Sequence, residues 1–232
     1  MHIGPEKANI IYTALEDAID AKMKRCVTTS SASKPNDGEV PAFVAVELGT
    51  YCGYASIFMA RSFYQIMKPE KMICHLYTTE INRAYAEVAT DMIQLSGMSD
   101  LVSVHAISYD GHETDVANVV SEALNNGTQT NGGDNRETAM IDFLLIDHDK
   151  DSYKTDLCKL EDSGMIQNGT KVVADNVLFA GIDDYLKYMQ QMKVEGVVET
   201  RTIPCNVEYS GESEQGEGLQ SYQDGVGKFC AM

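Results

Sequence analysis

Residues 139–153 read AMIDFLLIDHDKDSY. The first half is an apolar run of strand length without polar alternation, the pattern of a strand buried on both faces, as parallel strands are. It ends abruptly in Asp147, His148, Asp149, Lys150 and Asp151. Solubility alone does not need that much charge at the mouth of a buried strand. Ligands of open α/β sheets bind at this carboxyl edge.

Outward from this run the chain repeats one pattern. PAFVAVELG (41–49), MICHLYTTE (72–80), LVSVHAIS (101–108) and GTKVVADN (169–176) read as further strands. Between them YASIFMARSFYQIM (54–67), RAYAEVATDMIQLSG (83–97, closed by Gly97), Val116 to Leu124, SYKTDLCKLEDSG (152–164) and IDDYLKYMQQMKVEG (182–196) read as helices. A first helix runs from Pro5 to about Arg25, with Ile10, Ile11, Ala14, Leu15, Ala18 and Ile19 on one face. Such alternation predicts a Rossmann-like, doubly wound and mainly parallel α/β sheet. The tail departs from it: VVETRTIPCNVEY (197–209) and GVGKFCAM (225–232) are two strands joined without a helix, hence an antiparallel C-terminal edge to a seven-stranded sheet. TTSSASKPNDGEV (28–40) and NNGTQTNGGDNRET (125–138) read as loops by composition.

At 232 residues and 44% apolar, the chain is sized for one domain spanning 1–232 with one sizeable core. Eighteen basic against 35 acidic residues give a net charge of -17, which disfavours nucleic acid and anionic membranes as partners. Six scattered cysteines without a CxxC pair read as reduced thiols. No signal peptide or membrane span is evident, so a cytoplasmic protein is the expectation.

Four strand ends carry chemistry. VELGTYCGY (46–54) has glycines where a loop could bring backbone N–H groups against a ligand. Glu80 ends the next strand where an acid could accept from ribose hydroxyls, but it lies thirty-one residues past Gly49, too far for the usual dinucleotide spacing of about 20. Asp147 ends the strand at 139–147, and Asp175 and Asn176 end the one at 169–176. Two carboxylates and an amide carbonyl are hard oxygen ligands suited to Mg²⁺.

VELGTYCGY, TTEIN (78–82), LIDHDKDSY (145–153), VVADNV (172–177) and NVEY (206–209), in that order, resemble the catechol O-methyltransferase family, S-adenosylmethionine-dependent Mg²⁺ enzymes. The similarity covers nearly the whole chain. The resemblance implies that Glu47, Gly49, Tyr51 and Gly53 hold the methionine part of the cofactor, with Ile3 contributing from the N-terminal segment. It further implies Glu80 on the ribose, Ile81 against the adenine, Ser108 and Tyr109 near its edge, and Asp147 and His148 close to the cofactor. Asp147, Asp175 and Asn176 would be the metal ligands, Lys150 the base, and Glu208 the partner of the second catechol hydroxyl. The implied partner is a small-molecule catechol, and the chain is expected to be a monomer or weak homodimer.

The chain departs from the family pattern at three places. Asp149 stands where well-known members carry Trp, Ala180 precedes Gly181 where they carry Pro, and the family's first helices have no expected counterpart. These differences keep larger vicinal diphenols, such as caffeoyl-type conjugates, open as substrates. A non-catalytic cofactor-binding protein is disfavoured by the intact set Lys150, Asp147, Asp175, Asn176 and Glu208.

Overall fold

A computed structural model describes residues 3–30, 41–67, 72–107, 115–127, 140–177, 182–205 and 222–227, with 27–30, 126–127 and 222–227 described by backbone alone. Among the described residues six α-helices and seven strands follow in order: α1 (Pro5–Ser30), β1 (Ala42–Leu48), α2 (Tyr54–Ile66), β2 (Ile73–Glu80), α3 (Arg83–Leu95), β3 (Val102–Ala106), α4 (Val116–Gly127), β4 (Phe143–Ile146), α5 (Tyr153–Asp162), β5 (Lys171–Asp175), α6 (Asp183–Val194), β6 (Val198–Thr202) and β7 (Tyr222–Gly227). A single 3-10 turn, Lys150–Ser152, leads into α5.

The sheet order is β3-β2-β1-β4-β5-β7-β6. Strands β1 to β5 run parallel, and β7 lies antiparallel between β5 and β6. This is the expected doubly wound sheet with an antiparallel edge. It corrects the tail in one respect: the last strand begins at Tyr222, because its ladder with β5 starts at Asp175↔Tyr222. Sequence composition alone carried no such register. Likewise α1 continues to Ser30, past Arg25, since neither Gly nor Pro interrupts it before Pro35.

Strand parity divides the core. Phe43, Ala45, Phe143, Leu145 and Val173 pack with Leu15 and Ile19 of α1, Met59 and Phe63 of α2 and Ile93 of α3. Val46, Leu48, Leu144, Ile146, Val172 and Ala174 face the other way, toward Val120 of α4, Leu157 and Leu160 of α5, and Tyr185 and Met189 of α6. Both faces of the central strands are thus covered, which is why their sequences do not alternate. Burial of each large apolar side chain contributes roughly 1.5–3 kcal/mol, so the central strands are firmly held and their ends are fixed in space. Among the described residues no helix is long and apolar enough to cross a membrane.

Candidate active site

Parallel register brings the chemistry-bearing residues to one edge. Leu48↔Ile146 and Ile146↔Ala174 are paired, so Gly49, Asp147 and Asp175 follow side by side at the carboxyl ends of β1, β4 and β5. Gly49 has φ 101°, and a Cβ there would lie 2.4 Å from the Asp147 carbonyl oxygen. Only glycine lets the β1–α2 loop rest on the end of β4. Both Gly49 and Thr50 donate their N–H to the Thr79 carbonyl at 3.0 Å, closing that loop onto β2. The described non-glycine residues with positive φ are Tyr51 (48°) and Asn176 (58°), and both sit at this edge. Such conformations cost roughly 1–3 kcal/mol each and persist where surrounding structure enforces them, often at functional sites.

Beside the loop a cavity of about 730 Å³ is lined by Gly49, Tyr51, Glu80, Ile81, Asp147 and His148 of the expected cofactor residues, together with Tyr85, Asp149, Asp156 and Lys159. Its size suits a nucleoside-bearing ligand. Glu80 is oriented by two backbone donors: Tyr51 N–H to Oε2 and Asn82 N–H to Oε1, each at 2.8 Å. Each carboxylate oxygen can accept more than one hydrogen bond, so acceptor capacity remains for hydroxyls in the cavity. Tyr51 and Tyr85 meet edge to face at its rim, centroids 4.8 Å apart. His148 stacks on Tyr153 at 5.2 Å and 13°, and its Nε2 lies 2.9 Å from Asp156 Oδ2.

Glu47 is fully buried in β1. Ser56 Oγ and Thr78 Oγ1 both donate to its Oε2, the latter at 2.6 Å. Thr78 has spent its proton there, so Thr50 Oγ1 donates to Thr78 at 2.6 Å. Oε1 has no partner among the described residues. Burial, against the two hydroxyl donors, pushes the Glu47 carboxyl up from 4.5 to about 8. A buried carboxyl with one bare oxygen is suited to receive a cationic ligand group.

The second cluster joins Asp147, Asp175, Asn176 and Lys150. Lys150 Nζ lies 3.1 Å from Asp147 Oδ1 and 3.4 Å from the Asp175 carbonyl oxygen, contacts Tyr153 Oη, and sits 4.6 Å from the Tyr153 ring centre. Tyr153 Oη in turn donates to the Asp175 carbonyl at 3.0 Å. The backbone N–H of Asn176 donates to Asp175 Oδ1 at 2.8 Å and its amide to Oδ2 at 3.1 Å, which turns the Asn176 carbonyl oxygen outward from that pair. Burial first, then the facing Asp147 carboxylate, raises Asp175 from 3.8 to about 6, while Lys7 and Lys150 pull the other way. Two mutually repelling carboxylates and an amide oxygen form a donor set that calls for positive charge, and the residues present fit a hard divalent cation. Among the described residues no three His, Cys, Asp or Glu side chains converge as a metal-binding group.

Sequence reasoning reached most of this edge and missed part of it. Ser108, Tyr109, Ala180 and Glu208 lie outside the described residues. Gly53 starts α2 with φ 83°. Ile3 is buried in the apolar cluster under α1 and is not among the described residues lining the cavity. Four side chains had no assigned role beforehand: Ser56 and Thr78 on Glu47, Tyr153 beneath Lys150, and Lys7 on Asp175. Tyr153 stood in the quoted motif; nothing local to Lys7 marks it.

A mainly parallel sheet with a glycine loop, an acid ending the second strand and a polar cluster at the fourth and fifth strand ends defines a Rossmann-like class of nucleoside-cofactor fold. Within that class the chain belongs to the O-methyltransferase family, whose model matches residues 40–199. It is 28% identical over 190 residues to the catechol O-methyltransferase of Bos taurus, covering 82% of this chain and 53% of the relative. It is 31% identical over 170 residues to catechol O-methyltransferase B of Danio rerio, covering 73% of this chain and 54% of the relative. The chain thus spans about half the length of these two relatives. Among solved structures it is similar to an O-methyltransferase from Bacillus cereus in complex with SAH, with a TM-score of 0.57, 16% identity, and 90% of this chain and 91% of that one covered.

Proposed function

We propose that the chain folds as one domain over 1–232 and transfers the methyl group of S-adenosylmethionine to one hydroxyl of a Mg²⁺-associated catechol. The observation that carries this reading is the parallel register that sets Asp147, Asp175, Asn176 and Lys150 together, beside a cavity ending in Glu80. Family membership supports the cofactor, as does the likeness in fold to the Bacillus cereus enzyme, which is in complex with SAH.

In this reading Glu80 accepts from the ribose hydroxyls, and the bare Oε1 of Glu47 faces the ammonium of the methionine part. Asp147, Asp175 and Asn176 would hold the cation. When bound, Mg²⁺ supplies Lewis-acid stabilisation of an ionised hydroxyl. Lys150 Nζ, as the neutral amine left after it has released a proton to solvent, accepts the hydroxyl proton, and the oxygen attacks the methyl carbon as its bond to sulfur breaks, leaving a neutral thioether. Tyr153 positions that amine from below, by its ring and its hydroxyl. Holding oxygen, methyl and sulfur in line supplies much of the rate.

A second reading, methylation of larger vicinal diphenols, is favoured by Asp149, which lines the cavity where well-known family members carry Trp and whose Oδ2 accepts from Ser152 Oγ at 2.9 Å. A mass-spectrometric methyl-transfer assay over a diphenol panel, with and without Mg²⁺, tests both. Turnover should need the cation and a vicinal diphenol. Full activity in excess chelator sinks the metal assignment, and preference for bulky conjugates over free catechol selects the second reading.

A further inference from the structure

The third residue of α1 carries a charge into the site. Lys7 is 3% exposed, and its Nζ lies 3.0 Å from Asp175 Oδ1, 3.2 Å from Asp175 Oδ2 and 2.9 Å from Asn176 Oδ1. A buried ammonium is tolerated only when its protons are taken up, and these three oxygens do so. They belong to two of the three groups assigned to the divalent cation. An ammonium and a divalent ion cannot both draw on the same lone pairs at close range without strong repulsion.

The rest of α1 is anchored elsewhere. Ile11, Leu15 and Ile19 are packed under the sheet, and Lys22 and Arg25 pair with Asp142 at the opposite edge, at 3.1 and 3.0 Å. The helix from Ile11 onward therefore stays docked whether or not Lys7 keeps its contacts, while its first turn is tied to the site by Lys7. Lys150 differs from Lys7 in this respect, because it shares a turn with Asp147 and is backed by Tyr153.

We propose that Lys7 is the resident counter-cation of Asp175 and Asn176 and an internal competitor of the divalent cation, the two alternating on the same oxygens so that loading the site displaces the Lys7 side chain. The inference rests on the reading that Asp147, Asp175 and Asn176 take a divalent ion. With Lys7 in place, the Asp175 carboxylate and the Asn176 amide are kept ordered before the ion arrives. Removing it frees the site for tighter loading.

Mn²⁺ binding to the full chain, measured by titration calorimetry and by loss of the free-ion paramagnetic resonance signal, tests this. Lys7→Met should bind Mn²⁺ about tenfold or more tightly than the parent, and its melting temperature should be lower without the ion and raised further by it. Lys7→Arg, which keeps the charge, should show no such gain. A merely structural lysine would lower the melting temperature of Lys7→Met without tightening Mn²⁺, so equal or weaker binding overturns the inference. Should Lys7→Met fail to fold, hydrogen exchange on the parent decides. Mn²⁺ should speed exchange in the first turns of α1, residues 5–11, and unchanged or slower exchange there overturns it. No Mn²⁺ binding by parent or variant removes the metal reading itself, and the inference falls with it.

Discussion

Helix α1 brings lysines to a buried aspartate at each edge of the sheet, and the two pairs are built differently. At the amino edge Asp142 is 1% exposed, and its Oδ1 accepts from Arg25 at 3.0 Å while its Oδ2 accepts from Lys22 at 3.1 Å and from the Val44 N–H at 3.0 Å. Arg25 crosses over Gly169, where a Cβ would stand 2.3 Å from the guanidinium. At the carboxyl edge Asp175 has a lysine too, yet it faces a second carboxylate, its neighbour Asn176 is held at positive φ, and Glu47 keeps an unpartnered oxygen nearby in β1. Charge at the amino edge is matched within the fold. At the carboxyl edge Asp147 and Asp175 each have a lysine, but Glu80 is met by backbone donors and Glu47 keeps a bare oxygen, and those acceptors are what a ligand can use.

The largest expected effect is chemical and confined to the carboxyl edge. Lys150→Met keeps the aliphatic stem over Tyr153 but removes the amine, so methyl transfer should slow by roughly 10²–10⁴-fold, the usual worth of a positioned base. Cofactor affinity should survive. Single-turnover rates within about twofold of the parent would remove Lys150 from the reaction.

Next in size is a change that should touch stability alone. Asp142→Ala leaves Lys22, Arg25 and the Val44 N–H without their acceptor, and breaking a buried pair costs on the order of 3 kcal/mol. Solvent reaches Arg25, whose side chain is 38% exposed, so the loss should fall toward the low end. Urea unfolding should register it while the S-adenosylmethionine dissociation constant, measured well below the transition, stays put. A matching fall in cofactor affinity would erase the contrast between the edges.

What was legible in the sequence follows the same division. The buried strands announced themselves through unbroken apolar runs, and the strand ends through the charges that stop them: Glu80, Asp147, Asp175. These are local signals. Asp142 was hidden inside the run AMIDFLLID and read as one more strand residue, although its partners lie 117 and 120 residues away on α1. Lys7 was invisible for the same reason, being 168 residues from Asp175. Spacing within a motif records contacts along one loop. Contacts made by docking a helix across the sheet leave no periodicity at the site they reach. The positive φ of Tyr51 and Asn176 also escaped, since neither is glycine.

Glu80→Ala sharpens the carboxyl-edge half of the comparison. The side chain organises Tyr51 and Asn82 through their N–H groups and, in the proposed function, accepts from ribose. Loss of a charged acceptor should weaken S-adenosylmethionine binding by roughly 1–3 kcal/mol. Calorimetry finding the same dissociation constant as the parent would place the nucleoside elsewhere.

The smallest effect is a slope. Burial raises the Glu47 carboxyl from 4.5 to about 8, and its two hydroxyl donors offset only part of this. The fold therefore favours the neutral acid: its stabilising contribution is fully present below about 4.5 and is lost as pH rises through about 8. Asp175, raised to about 6, has the same sign but completes its share earlier, so between about 6 and about 8 Glu47 contributes a falling slope, opposed at the acid end by His75 and His105, which burial holds below 6.5. One proton accounts for at most about 1.4 kcal/mol per pH unit. Glu47→Gln, which cannot ionise, should flatten the melting temperature across that interval. Saturating S-adenosylmethionine should flatten the parent in the same way, because an ammonium beside Oε1 would favour the ionised acid and offset the effect of burial. A variant that keeps the parent's slope would show that the slope does not reside in Glu47.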